Sequence, residues 1–162
     1  MTQNEYNNGV SLWSDAVFRF ALRTCGDTER AKDAVQEAYA TLWEQRRRVD
    51  FEKGKPYLLS VVYRQLMSGF RHDKVVQMYQ PEEVEVVQPD EVFDLREALR
   101  VALKRLPETQ RAALLLKDVE GYSCRDIADI LSLSEKQVTV YLYRARVSMK
   151  KTLIEIGYDN ND

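Results

Sequence analysis

The chain has 162 residues, with 24 Lys and Arg side chains against 26 Asp and Glu, and a formal net charge of −2. Its 44% hydrophobic and 31% charged residues are typical of one globular domain or two small ones. The longest apolar run, 112–116, is far shorter than the roughly 20 residues that span a membrane. Residues 1–10 lack a secretory signal, and two cysteines cannot build a disulfide framework. We therefore expect a soluble, cytoplasmic protein in a reducing compartment.

The charge is unevenly distributed along the chain. Residues 1–75 carry a net charge of +2, residues 76–97 a net charge of −6 and residues 98–162 a net charge of +2. The acidic stretch also contains Pro81 and Pro89 and lacks helical periodicity. We interpret residues 75–91 as an extended linker between two domains, 1–74 and 92–162. The alternative, a surface loop within one domain, requires an unusually long structureless loop.

Helical periodicity accounts for the N-terminal half. The first predicted helix covers about 11–24, and Gly26 ends it. Asp27 or Thr28 can cap the second helix, whose apolar residues recur at three- and four-residue steps through Trp43. A third helix is predicted from about 56 to about 71. The side chains of the first helix that we expect to face inward are Trp13, Val17, Phe18, Ala21 and Leu22.

The C-terminal half is also predicted to be helical, over 92–106, 107–118, 123–131 and about 134–156. Gly121 follows the second of these helices. No alternating pattern of a strand occurs in the sequence. The predicted fold class is therefore all-α, with two small helical domains joined by the acidic linker.

The sequence offers little for catalysis. His72 is the only histidine, so a histidine-based metal site or triad would have to be built around one residue. The six glycines form neither a phosphate-binding loop nor a dinucleotide fingerprint. We therefore expect no enzyme activity, no metal and no cofactor.

The strongest local pattern is a helix-turn-helix over 124–142. Ala128 supplies the small residue at the helix junction, Ser132 stands at the turn, and Ser134 can cap the second helix. Between residues 134 and 152, five basic residues stand against Glu135 alone, as expected of a helix that contacts phosphates. The alternative is a plain helical hairpin with a solvated basic face. The residues on the outer faces of the second helix are Lys136, Gln137, Thr139, Val140, Tyr143 and Arg144.

Flanking motifs extend this pattern to most of the chain. LPETQR at 106–111 and DVEGYS at 118–123 precede the helix-turn-helix, and together they resemble region 4 of bacterial sigma factors. In the N-terminal half, AVQEAY at 34–39 followed by LW at 42–43 is similar to region 2, a three-helix domain. With only these two regions, the chain resembles the extracytoplasmic-function (ECF) type of sigma factor of bacterial RNA polymerase.

The resemblance implies three functional surfaces. The polar face of the second helix would dock on core polymerase, through Asp33, Gln36, Glu37, Thr41 and Glu44. The loop before the third helix and that helix would bind the minus-ten element, through Phe51, Lys53, Lys55, Tyr57, Arg64, Gln65, Ser68 and Arg71. Phe51 and Tyr57 could equally be core residues. The recognition helix would bind the minus-thirty-five element, through Lys136, Gln137, Thr139, Val140, Tyr143, Arg144 and Arg146.

The implied partners are promoter DNA and core RNA polymerase, through the clamp helices of its largest subunit and the flap of its second-largest subunit. An anti-sigma factor commonly holds such proteins, and we expect a monomer when free, without membrane association. The linker is expected to lie in the nucleic-acid channel of the polymerase. Thr139 and Tyr141 stand where relatives often have basic residues, so DNA binding by the free protein should be weak.

Two other functions compete with the sigma factor. A stand-alone helix-turn-helix regulator would usually dimerise to bind paired half-sites, and the sequence has no heptad pattern for a dimerisation helix. A helical adaptor would not bind DNA at all. Gel filtration with and without core polymerase distinguishes these three functions.

Overall fold

The computed structural model describes residues 1–77 and 94–158, with side chains described for all of these except 70–77. Within those ranges the chain forms α-helices and two short 3-10 helices, with no strand. This agrees with the all-α prediction. The α-helices are α1 (Gln3–Cys25), α2 (Thr28–Gln45), α3 (Gly54–Gln77), α4 (Leu95–Lys104), α5 (Glu108–Asp118), α6 (Cys124–Leu131) and α7 (Glu135–Glu155).

Helix α1 begins eight residues before its predicted start. Thr2 caps it in a capping box, in which the Thr2 hydroxyl accepts from the Glu5 amide and the Glu5 carboxylate accepts from the Thr2 amide. The helix ends at Gly26, whose φ of 72° places it in the left-handed region that glycine adopts without strain. Of the two candidate caps of α2, Asp27 and Thr28, the structure uses Asp27, which accepts from the Arg30 amide.

Helices α1, α2 and α3 pack into a three-helix unit. The buried face of α2 carries Ala31, Ala34 and Ala38, small residues that allow close helix packing, followed by Leu42. On α1, Val17 and Ala21 are buried as predicted, whereas Trp13, Phe18 and Leu22 are half-buried. Phe20, which the periodicity missed, is only 1% exposed.

Helix α3 is longer than predicted at both ends. It starts two residues before Pro56, and it continues to Gln77 rather than ending near residue 71. Residues 75–77, placed in the linker by the sequence, are therefore helical. The remainder of the predicted linker, 78–91, lies outside the described residues.

Helices α4 to α7 form the C-terminal unit around the apolar run 112–116, all of which is buried. Ser123 caps α6 and Ser134 caps α7, and Ser132 between them has a φ of 57°. This left-handed residue turns the chain sharply from one helix into the next. The helix-turn-helix that the sequence predicted is therefore present in α6 and α7.

The two units pack against each other, although the sequence predicted only domains joined by a linker. Buried residues from both units belong to one contiguous hydrophobic cluster among the described residues. Helix α1 packs against α5, and α3 packs against α6. The arrangement places α6, the first helix of the helix-turn-helix, against α3, which carries part of the predicted minus-ten surface.

Candidate nucleic-acid and partner interfaces

Helix α7 presents the predicted recognition surface to solvent. Its inward face is formed by Val138, Leu142 and Ala145, each at most 3% exposed. The residues predicted to bind the minus-thirty-five element are all exposed, namely Lys136, Gln137, Thr139, Val140, Tyr143, Arg144 and Arg146.

Hydrogen bonds within α7 limit what two of these side chains can offer to a base. The Gln137 Oε1 atom accepts from the Ser134 amide at 2.9 Å and completes a capping box. The Thr139 hydroxyl donates to the Glu135 carbonyl at 3.0 Å. The amide nitrogen of Gln137 and the methyl group of Thr139 therefore remain for contacts with DNA.

The basic residues of α7 differ in their surroundings. Arg146 donates to Asp118 at 3.0 Å, and both side chains are about half exposed. This ion pair joins α7 to the end of α5 and competes with any phosphate that Arg146 would bind. Arg144 lies exposed on the same helix.

Val147 is a further exposed residue of α7 that was not predicted from the sequence. It is 51% exposed and continues the apolar surface of Val140 and Tyr143.

The surface predicted to bind the minus-ten element is built on α3 and the 3-10 turn Phe51–Lys53. The Phe51 ring packs 5.0 Å from the Trp13 ring, so Phe51 is partly used by the fold. A Cβ atom on Gly54 would lie 2.3 Å from the Trp13 ring, so only glycine allows this approach. Lys53, Arg64, Gln65 and Ser68 are exposed, and the Arg71 side chain lies outside the described residues.

Two members of this surface, Lys55 and Tyr57, lie against the C-terminal unit. The Lys55 Nζ atom is 3.7 Å from Glu120 Oε2 and 5.7 Å from the centre of the Tyr122 ring. Tyr57 shares a cleft with two acidic residues of α6, Asp126 and Asp129. Lys53 also lines this cleft.

Glu120 is the residue at the centre of this contact, and the sequence analysis gave it no role of its own. Its side chain is only 3% exposed and accepts two hydrogen bonds of 3.0 Å from Arg19. Hydrogen bonding to Glu120 raises the pKa of the Arg19 guanidinium. Burial, with Glu120 and Asp126 nearby, raises the pKa of Tyr122 to about 12. Glu120 and Arg19 are 101 residues apart, so no local pattern links them.

Arg111 is a second residue that joins the two units. It is 9% exposed, and its guanidinium donates to the carbonyl groups of Leu103, Lys104 and Leu106 and, across the interface, to that of Thr24. These carbonyls lie at the C-terminal ends of α4 and α1, where a positive charge is favourable. Desolvation by burial lowers the pKa of Arg111.

The polar face of α2 lies outside the two contacts that Glu120 and Arg111 make between the units. Asp33, Gln36, Glu37 and Glu44 are exposed, and the partly exposed Thr41 donates to the Glu37 carbonyl at 2.8 Å. An open groove beside this face is lined by Asp33 and Glu37 of α2 and by Gln65 of α3. Residues predicted to dock on polymerase and one predicted to bind DNA are therefore neighbours.

Within residues 1–77 and 94–158, no group of three or more His, Cys, Asp or Glu side chains could hold a metal ion. None of the helices in those ranges has the length and apolar character needed to cross a membrane.

Comparison with protein families gives two matches in sequence order. Residues 10–75 match the family described as Sigma-70 region 2, and residues 96–149 match the family described as Sigma-70, region 4. The first match covers α2 and most of α1 and α3, and the second covers α5, α6 and most of α4 and α7.

Individual proteins agree with these matches. The chain is 30% identical to the ECF RNA polymerase sigma factor EcfG of Rhodopseudomonas palustris, over 87% of this chain and 81% of that protein. It is 26% identical to the ECF RNA polymerase sigma factor SigM of Bacillus subtilis, over 86% of this chain and 89% of that protein. Its fold resembles that of the sigma factor RpoE of Bartonella quintana, which was solved in complex with the anti-sigma factor NepR. The TM-score is 0.75 and the sequence identity is 22%, and the match covers 92% of this chain and 96% of that chain.

Proposed function

The chain belongs to the sigma-70 family, as a sigma factor of the ECF type. We propose that three separate surfaces bind the two promoter elements and core polymerase. As an RNA polymerase sigma factor, it directs the polymerase to promoters and starts transcription. The observation that best supports the assignment of surfaces is the capped helix-turn-helix, whose basic helix α7 is exposed in a chain that also contains region 2. We divide the domains as 1–74, 75–91 and 92–162, with α3 extending into the linker.

Helix α7 binds the minus-thirty-five element in this proposal. Its N-terminal turns enter the major groove, so that Lys136, Gln137, Thr139 and Val140 reach base edges. Lys pairs with guanine and Gln with adenine, while Val140 and the Thr139 methyl contact thymine methyl groups. Tyr143, Arg144 and Arg146 lie further along the helix and position it, with the two arginines on phosphates.

The surface of α3 and the preceding turn binds the melted minus-ten element. Unstacked bases require flat apolar walls, and phosphates require cations. The wall would come from the exposed parts of Phe51 and Tyr57. The polar and cationic contacts would come from Lys53, Lys55, Arg64, Gln65, Ser68 and Arg71.

The polar face of α2 binds the clamp helices of the largest polymerase subunit, through Asp33, Gln36, Glu37, Thr41 and Glu44. Its side chains protrude from a helix whose other face is anchored by buried alanines, so the surface is rigid. The C-terminal unit contacts the flap of the second-largest subunit. The protein supplies specificity and no catalytic group of its own.

The remaining partner assignments rest on the family. A solved relative is bound to an anti-sigma factor, and we propose that a protein of this class also binds this chain. We propose a cytoplasmic location, where the polymerase acts, and a monomer in the free state. A stand-alone helix-turn-helix regulator is not favoured, because the matches to both sigma regions account for the N-terminal half as well.

The decisive experiment is run-off transcription with bacterial core polymerase on a pool of genomic fragments. We expect the chain to give discrete transcripts from a subset of fragments and to co-elute with core polymerase in gel filtration. Combined substitution of Lys136 and Arg144 by alanine should abolish these transcripts without preventing co-elution. Failure of the unaltered chain to bind core polymerase would contradict the proposal.

A further inference from the structure

Trp13 on α1 is enclosed between two glycines that belong to different helices. Gly9 lies one turn earlier on α1, and Gly54 is the first residue of α3. A Cβ atom added to either glycine would lie less than 3.0 Å from the Trp13 ring, closer than real Cβ atoms approach a neighbour. Neither glycine has a positive φ, so both provide space for the ring rather than an unusual backbone conformation. The indole therefore lies directly against the backbones of two helices.

The same indole also contacts the turn that precedes α3. The centres of the Trp13 and Phe51 rings are 5.0 Å apart, and the two ring planes are inclined by 36°. Phe51 is the first residue of the 3-10 turn Phe51–Lys53, and Gly54 directly follows that turn. Trp13 therefore contacts the segment 51–54 at both ends, at the Phe51 ring and at the Gly54 backbone.

Local interactions alone give this turn little stability. No side chain caps it. The Lys53 amide donates to the Asp50 carbonyl at 2.9 Å, and the Gly54 amide donates to the Phe51 carbonyl. One helical turn fixes several backbone dihedral angles for very few hydrogen bonds, so it depends on tertiary contacts. The Trp13 indole supplies such a contact from another helix.

The exposure of Trp13 distinguishes it from the core residues of α1. Val17 and Phe20, one and two turns further along the helix, are at most 1% exposed, whereas Trp13 is only half-buried. A side chain that only filled the core would be enclosed as those two are. Trp13 instead lies at the edge of the N-terminal unit, against the turn to which we assign part of the minus-ten surface.

We propose that Trp13 is a positioning residue for the minus-ten surface, which holds the turn 51–54 so that Phe51 presents its exposed part to an unstacked base. Lys53, exposed at the end of the same turn, is thereby placed for a neighbouring phosphate. Trp13 acts through Phe51 and does not itself contact DNA. A wall that is ordered in advance loses no further conformational entropy when the base binds, so Trp13 contributes to promoter opening. The proposal rests on the function assigned above to Phe51 and Lys53.

The first experiment tests the enclosure of the indole by thermal unfolding of the free, full-length chain. Gly9→Ala should lower the melting temperature of the unaltered chain, because the added methyl group displaces the Trp13 ring. In a chain that carries Trp13→Leu, Gly9→Ala should instead raise the melting temperature, because the smaller side chain leaves room and alanine is favoured over glycine inside a helix. The same sign of change in both backgrounds would refute the contact on which the proposal depends.

The second experiment measures promoter opening by holoenzyme, on a promoter identified by run-off transcription. Trp13→Leu should slow the appearance of permanganate-reactive thymines about tenfold, because Phe51 must then become ordered as the base binds. Binding to a duplex that carries only the minus-thirty-five element should not change. The matched control is Phe18→Leu, which alters another half-buried aromatic residue of α1 and should lower the melting temperature without slowing opening. Equal slowing by both variants would overturn the positioning role.

A double-mutant cycle with Phe51 separates positioning from direct contact with DNA. In holoenzyme that carries Phe51→Ala, the further change Trp13→Leu should add little to the slowing, because Trp13 acts through Phe51. A full additional tenfold loss would overturn positioning through Phe51.

The single variants of this cycle separate the proposal from the assigned function. If Phe51→Ala alone opens promoters at the normal rate, the turn is not part of the minus-ten surface and the assigned function of Phe51 is wrong. If Phe51→Ala slows opening and Trp13→Leu does not, the positioning role of Trp13 is refuted while the assigned function stands.

Discussion

Gln137 offers a sharp test of base recognition, because its side chain has two roles that substitutions can separate. Its Oε1 atom accepts from the Ser134 amide at 2.9 Å, which stabilises the start of α7. A glutamine that pairs with adenine uses its amide oxygen and its amide nitrogen. The Ser134 hydroxyl also donates to Oε1, at 3.2 Å, but a hydroxyl can rotate away, so Gln137 can keep its amide cap and contact a base with both its oxygen and its nitrogen.

The two roles have different magnitudes and different readouts. Gln137→Ala removes the cap contact, which we expect to cost about 0.5–1 kcal/mol of unfolding free energy. For a chain of this size, that corresponds to a fall in melting temperature of about 1–4 °C. It also removes the base contact, which should cost about 1–3 kcal/mol of discrimination, or about fivefold to 150-fold in preference at one base pair.

Gln137→Glu is the matched variant. A glutamate preserves the capping box and places a negative charge at a helix N-terminus, so the melting temperature should not fall. It lacks the amide donor and accepts from cytosine, so the preferred base should change from adenine to cytosine. The assay is binding of holoenzyme to a library of minus-thirty-five variants, alongside thermal unfolding. If Gln137→Ala lowers the melting temperature and leaves base preference unchanged, Gln137 is only a cap.

Three further predictions concern one residue each. Glu37→Lys should weaken binding to core polymerase by about 2–5 kcal/mol in a titration, because a charge is reversed in a buried contact, while Asp15→Lys on α1 should not. Arg144→Ala should weaken all promoters alike and lower the slope of log K against log salt by about 0.9, since one phosphate contact is lost; a changed base preference would contradict this role. Arg111→Lys should lower the unfolding free energy in urea by about 1–3 kcal/mol, because one ammonium group cannot satisfy all of the carbonyl groups that Arg111 serves; an unchanged midpoint would refute this account.

The sequence was most informative where structure is determined locally. The cap at Ser134, the end of α1 at Gly26 and a cap at Asp27 or Thr28 were predicted, because each depends on a side chain or a φ value within a few residues. The exposed face of α7 was predicted from the helical spacing of its apolar residues. These local features and the two family motifs were sufficient for the fold class and the function.

The sequence failed where distant parts of the chain determine the outcome. Residues 3–10 are rich in asparagine and contain Gly9, which disfavour a helix in isolation. The helix forms because the Tyr6 hydroxyl donates to the Tyr39 carbonyl at 3.0 Å and the Tyr6 ring packs 5.0 Å from the Trp43 ring, which are contacts with residues of α2 far along the chain. The contacts of Glu120 with Arg19 and of Arg111 with Thr24 likewise join residues far apart in sequence, which periodicity cannot reveal.

Salt should affect the packing of the two units and the DNA complex differently, although both depend on charge. Glu120 is 3% exposed, and interactions of buried charges are screened weakly by salt. Phosphate contacts instead release counterions, and a surface that neutralises three phosphates of a single strand should lose about 20-fold in affinity between 50 and 200 mM salt. Raising salt should therefore leave the radius of gyration of the free chain unchanged while it weakens the binding of single-stranded DNA. If the free chain expands over the same range, exposed charges such as Asp126 and Asp129, rather than Glu120, hold the two units together.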